Sequence, residues 1–126
     1  MRAFRIPCFV LLILVVLSLA NSAAVTRHCG QWLEELEAAQ QSAAQEQWAE
    51  ADEHLVRLRE SWNACRIWLR VVLSHNTVED VEEMLDRAQL MGSLQELTHM
   101  HEALAELRGL LQRIDEGERL SLANIL

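Results

Sequence analysis

After residue 26, apolar side chains recur at intervals of three and four, and no stretch alternates with a period of two. That pattern admits helices and excludes a sheet. The first stripe is Cys29, Trp32, Leu36, Ala39 and Ala43. The second is Trp48, Ala51, Leu55, Leu58, Trp62, Cys65, Leu69 and Val72. Val78, Val81, Leu85 and Ala88 form the third, and Leu97, Met100, Leu104, Leu107, Leu111 and Ile114 the fourth. Each is a seam along one helix face.

Phase places the breaks. Extending the first seam past Ala43 buries Glu46, Glu50 and Glu53, so a helix ends near Ala44–Gln47 without glycine or proline to mark it. Extending the second past Val72 lands on Asn76, Glu79 and Glu83, and "SHNTVED" marks that break. Asn76 or Thr77 is placed to cap the next helix, because an acidic residue follows three positions on in both cases. His75, just after the second helix, is placed to bond its last carbonyls. Gly92 suits a helix end, and Ser93-x-x-Glu96 reads as a capping box. The spacing therefore predicts helices over about 26–44, 47–73, 77–91 and 94–115. Short connections make successive helices antiparallel, giving a four-helix bundle of two stacked hairpins.

The segment before the first seam differs in kind. Residues 8–20, "CFVLLILVVLSLA", hold no charge, and Arg2 and Arg5 precede them. Cys8, Phe9, Leu12, Leu14, Val16 and Leu19 belong to this run. Positive residues before it favour an N-in, C-out orientation. Two readings fit: a signal peptide cut at the small residues of "NSAAVT", or an uncleaved anchor over residues 8–25, interrupted in polarity by Asn21. Either divides the chain into an N-terminal segment, 1–25, and an extracytoplasmic helical domain, 26–126.

Charge separates the same two parts. All 19 acidic residues follow Ala24, there is no lysine, and the exported part carries a formal charge near −10. Such a surface does not neutralise nucleic-acid phosphate, nor does it lie flat on anionic lipid. Cys29 and Cys65 are exported, where a disulfide is permitted; the alternative is two small buried apolar residues.

Residue types that carry chemistry lack the spacing for it. His99 and His101 lie about 200° apart on a helix and do not share an ion. His28-Cys29 has no partner pair in the sequence. The carboxylates Glu79, Asp80, Glu82, Glu83 and Asp86 surround the seam of one short helix, as a solvated face does. Trp32, Trp48 and Trp62 lie on seams, whereas Trp68 is off its seam and suits a second packing neighbour or a membrane interface. No phosphate loop, no catalytic triad and no CxxC is present. We expect neither an enzyme nor a cofactor or metal site.

"QWAEADEHLVRLRESW", Trp68, His75 before Val-Glu-Asp-Val-Glu, "EMLDRA", "ALAELRGLL" and the closing "LSLANIL" resemble domain of unknown function 4363. The resemblance runs from about Gln47 to the end, with Trp48, Ala51, Leu55, Trp62, Trp68, His75, Leu104, Leu107, Leu120, Leu122, Asn124 and Ile125 as its core and motif positions. The chain departs from that family in lacking lysines, in ending on Leu126 where an aromatic is common, and in placing Gln47 where an acidic cap is usual. The resemblance implies a short, N-terminally anchored helical protein of Gram-positive, largely spore-forming bacteria, with no assigned activity, and so favours a retained anchor. The expectation is an all-α chain: a membrane helix, then a four-helix bundle with the apolar tail from Leu120 folded over the ends of its second and fourth helices. Its expected role is a non-catalytic interaction or structural module of the cell envelope, binding an unknown protein partner or a second copy. The alternative is a secreted helical protein sensing a small ligand or ion.

Overall fold

A computed structural model describes residues 2–125, with the side chains of 2–4, 21–22, 118 and 121–125 outside the description. All its elements are helices: α1 (Arg2–Ala44), α2 (Trp48–Ala64), α3 (Arg66–Val72), α4 (His75–Ser93) and α5 (Leu97–Ile125). They pack on one another around a single apolar cluster. α1 lies against α2 and α5, α4 lies against α5 and, less extensively, α2, and α3 touches α2 and α4.

α1 is one unbroken helix of 43 residues, about 65 Å long. Its two halves meet different surroundings. Residues 5–18 are exposed, and the buried face begins at Val25 and continues through Cys29, Trp32, Leu36, Ala39 and Ala43. The other seams turn inward in the same way: Ala51, Leu55, Leu58 and Trp62 from α2, Leu69 from α3, Val78, Val81, Leu85 and Ala88 from α4, and Met100, Leu104, Leu107, Leu111 and Ile114 from α5. Trp48 and Trp68 are half-buried against this core.

Polar pairs fix how the helices slide past one another. His54 Nδ1 lies 2.8 Å from Glu35 Oε2 across α1 and α2. Arg59 donates to Asp86 Oδ1 at 2.6 Å and to Gln89 Oε1 at 2.8 Å, joining α2 to α4. Arg108 donates to Gln40 Oε1 at 2.8 Å, joining α5 to α1.

Two of the connections are the same turn. α1 closes with Gln47 N–H on Ser42 C=O (2.9 Å) and Glu46 N–H on Ala43 C=O (3.0 Å). α4 closes with Glu96 N–H on Met91 C=O (2.9 Å) and Gln95 N–H on Gly92 C=O (3.1 Å). Both are Schellman closures. Each requires a left-handed residue, and Glu46 (φ 59°) and Gln95 (φ 56°) occupy that position, where glycine is usual.

Several expectations are corrected by this geometry. The helix expected over 47–73 is broken at Cys65, whose backbone (φ −100°, ψ 0°) interrupts the helix and whose N–H bonds Trp62 C=O at 3.1 Å. Periodicity misses that break because the seam stays in phase across it. Ser74, not Asn76 or Thr77, caps α4: its Oγ accepts from Thr77 N–H at 3.3 Å. His75 is therefore the first residue of α4 rather than a cap on the preceding helix, and its Nε2 lies 2.8 Å from Glu79 Oε1 on an exposed face. Ser93 forms no capping box, because α4 continues through it and its Oγ bonds Leu90 C=O at 2.7 Å. Gly92 lies inside α4, where the absence of a side chain admits Met100 of α5: an added Cβ would sit 3.2 Å from Met100 Cε.

The largest correction concerns the tail. It does not turn back: α5 continues to Ile125. α5 passes the α3–α4 connection at Gly117, which lines a groove with Leu73 and Ile114, and runs about two further turns. Leu120 is 65% exposed, so it does not pack on the helices. The side chains of Leu122, Asn124 and Ile125, and all of Leu126, lie outside the described residues. Helical propensity through "DEGERLSLANI" explains the continuation: only Gly117 interrupts it, and nothing there caps a helix end.

The two strained turns give a test. Replacing Glu46 or Gln95 by glycine relieves a left-handed conformation that costs an L-residue about 1 kcal/mol. Each variant is expected to raise the thermal midpoint, followed by circular dichroism, by about 4 °C. A lowered midpoint would show that the turns are not closed by a left-handed residue.

Candidate functional site

The helix register gathers several polar and aromatic residues at one level. His28 and Trp32 come from α1, Ser61 and Trp62 from α2, Cys65 from the break, Trp68 from α3 and Glu82 from α4. The rings of Trp32 and Trp62 tilt together at 5.0 Å. His28 stacks on Trp32 at 5.7 Å and meets Trp68 edge-on at 6.2 Å. Aromatic pairs of this geometry contribute about 1 kcal/mol each beyond the area they bury.

Both buried indoles satisfy their N–H groups. Trp32 Nε1 donates to Ser61 Oγ at 2.9 Å, and Trp62 Nε1 donates to Glu82 Oε1 at 3.3 Å. Arg66 grips the same carboxylate twice, with Nε 3.0 Å from Oε1 and Nη2 3.2 Å from Oε2. That two-point pairing holds a carboxylate in one orientation. Trp62, Glu82 and Arg66 thus form a lock between α2, α3 and α4 beside the Cys65 break.

His28 is different. Its Nε2 lies 3.8 Å from Cys65 Sγ, while its Nδ1 is buried without a hydrogen-bond partner. Burial pushes the Cys65 thiol above its ordinary range, so the thiol stays protonated at neutral pH. A reactive cysteine needs the opposite, a lowered pKa. The pair is therefore a part-buried polar contact whose thiol lacks the lowered pKa of a reactive cysteine.

The disulfide considered between Cys29 and Cys65 is not formed: Cys65 is a free thiol. Its sulfur faces His28, whereas Cys29, one residue on, turns into the core and is fully buried.

The remaining sequence candidates are dispersed. Of the α4 carboxylates, Glu79 pairs with His75, Glu82 with Arg66 and Asp86 with Arg59. His99 lies 3.7 Å from Glu102 on an exposed face. Among the described residues no group of three or more His, Cys, Asp or Glu is placed to hold a metal ion. Cys8 is exposed on the apolar half of α1, with Phe9, Leu12, Leu14 and Val16, and Leu19 is half-buried. The sequence reading missed the His28–Cys65 contact. The signal was available: pairing Trp32 with Trp62 in an antiparallel register sets residue 28 opposite residues 65–66.

Two measurements probe the cluster. Peptide-resolved alkylation of the intact chain should modify Cys65 slowly at neutral pH and rise only above the roughly 8.5 of an ordinary thiol; prompt labelling at neutral pH would show an activated thiol. His28→Phe keeps the stack on Trp32 and removes the unpaired buried nitrogen, so it should raise stability by about 1 kcal/mol in chemical unfolding. A loss would mean that Nδ1 is satisfied in solution.

No match to the chain is found among curated proteins or among solved structures. The family model described as "Domain of unknown function (DUF4363)" matches residues 19–125, from the last part of the apolar run through all the packed helices, and the chain belongs to that family.

Proposed function

We propose that the protein is a membrane-anchored, extracytoplasmic helical module that acts without catalysis, by binding a protein partner or a second copy of itself. The observation that carries this reading is the continuity of α1. Its N-terminal half is long and apolar enough to cross a bilayer and is almost wholly unburied. Phe9, Leu11, Leu12, Leu14, Val16 and Leu17 are exposed on all sides of the helix. A helix apolar all round needs lipid or protein on every face, and among the described residues its Phe9 to Leu17 stretch is exposed. The same rod enters the core at Val25 without a linker, which supports a module held at a fixed attitude to the membrane.

Arg2 and Arg5 favour a cytoplasmic N-terminus, which sends residues 26–126 outside. There the helices are best read as a four-helix bundle in which α2 and α3 together make one bent leg. Among the described residues no carboxylates pair across a cleft, and that favours binding over catalysis. Exposed Leu90 and Leu94, at the end remote from the apolar run, offer a contact point for a partner.

One observation favours a second reading. The buried face of α1 starts at Val25, so a cut at Ala23–Ala24 leaves every core residue in place. The mature protein would then be secreted, a small ligand or ion sensor using the His28 cluster or the acidic α4. Fractionation of expressing cells separates the two. The anchor reading expects the chain with an intact N-terminus in alkali-washed membranes, and residues 26–126 degraded by protease added from outside. Mature protein beginning near Ala23 or Val25 in the medium would overturn it.

A further inference from the structure

α3 carries an apolar face that the core does not use. Leu69 is buried, and Ile67 and Val71, about 160° from it around the helix, are 85% and 82% exposed. Among the described residues these are the most exposed large apolar side chains outside the apolar run. Trp68 flanks them on one side and Arg70 on the other. Isolated exposed apolar residues are ordinary, but these two stand together, at i and i+4, on a helix that leaves the line of α2 at the Cys65 break.

Their position identifies what they face. Trp68 lines one open groove with Leu17, Ser18, Ala20 and Ala24 of α1, so α3 sits beside the last turns of the apolar run. A hydrocarbon layer of about 30 Å takes about 20 helical residues. With Arg5 at one boundary, the other falls near Val25. α3 is then level with the outer boundary, where an indole is favoured.

Charge agrees. The stretch from Ser61 to Val78 contains no Asp or Glu, in a chain with 19 of them, and it carries Arg66, Arg70 and His75. Glu82 of α4 approaches this stretch and is already bound by Arg66. The net-acidic surface repels anionic lipid, whereas this segment has no acidic residue of its own.

We propose that α3 is an interfacial foot: Ile67 and Val71 enter the headgroup–acyl boundary of the bilayer that α1 spans, with Trp68 and Arg70 at headgroup level. Such a helix gains from burying apolar side chains to shallow depth while its cations meet lipid phosphates. The foot gives the module a second attachment and fixes its rotation about α1. It rests on the reading of α1 as a retained anchor, and the test keeps the two apart.

The full chain, with Cys8→Ser and Cys65→Ser, is reconstituted in vesicles of phosphatidylcholine with a minor share of phosphatidylglycerol. A nitroxide is attached at Val71→Cys, at Leu14→Cys or at Gln45→Cys, and its collision rates with oxygen and with a water-soluble nickel chelate are compared. Circular dichroism selects variants that retain their helix. The expected result is an oxygen-to-chelate ratio at Val71 severalfold above that at Gln45 and approaching that at Leu14. A ratio at Val71 equal to that at Gln45, with Leu14 in lipid, overturns the foot and leaves the anchor standing. A water-exposed label at Leu14 overturns the anchor and the foot with it. A label at Val71 shielded from both reagents shows a protein contact, a second copy or another chain, and also overturns the foot.

Discussion

Every other element is organised by the unbroken backbone of α1. A helix has one phase along its length. The face that turns Val25, Cys29 and Trp32 inward is continuous with the surface presented by Phe9 to Leu17. No linker absorbs a mismatch between the two halves. α2 and α5 pack directly on this rod, and α4 completes the enclosure through α5 and α2. Trp32 ties the rod to α2: stacked on His28, it tilts against Trp62 and donates to Ser61.

Much of this arrangement is legible in the residues. Burial follows spacing closely, because a side chain three or four positions on lies on the same face. Cys29 to Ala43, Ala51 to Trp62 and Met100 to Ile114 turn inward where their spacing puts them. What spacing does not register is a change of direction that preserves phase, as at Cys65. Nor does it register a turn closed by backbone bonds alone. Glu46 and Gln95 sit in left-handed geometry without the glycine that usually announces it. The cap of α4 shows the same limit in milder form: Ser74, Asn76 and Thr77 are all good capping types, and only the extended backbone at Leu73 and Ser74 selects the first.

The candidate site was less legible than the fold. Trp32, Trp62 and Cys65 stand out as types, but their meeting depends on how α1 and α2 slide past one another. That register is set by side-chain pairs, His54 with Glu35 and Trp32 with Ser61, far apart in sequence. His28 gains its surroundings the same way, from Cys65 and Trp68 rather than from its neighbour Cys29. The tail shows the reverse failure. An apolar terminus invites a folded-back reading, yet a good helix-forming sequence without a stop signal continues as helix, and Leu120 stays in solvent.

The continuity of α1 from Val25 to Ala44 also makes it a lever. From Val25 to Ala44 it rises about 29 Å, which places the Glu46 and Gln95 turns far from the apolar run. A tilt of about 20°, ordinary for a bilayer-crossing helix, would swing those turns sideways by about 10 Å, because no hinge intervenes. For a rod anchored in lipid, membrane thickness and lateral pressure would then become positional information at the distal turns. A brace at the foot of the rod, beside Trp68, would set how much of that swing survives.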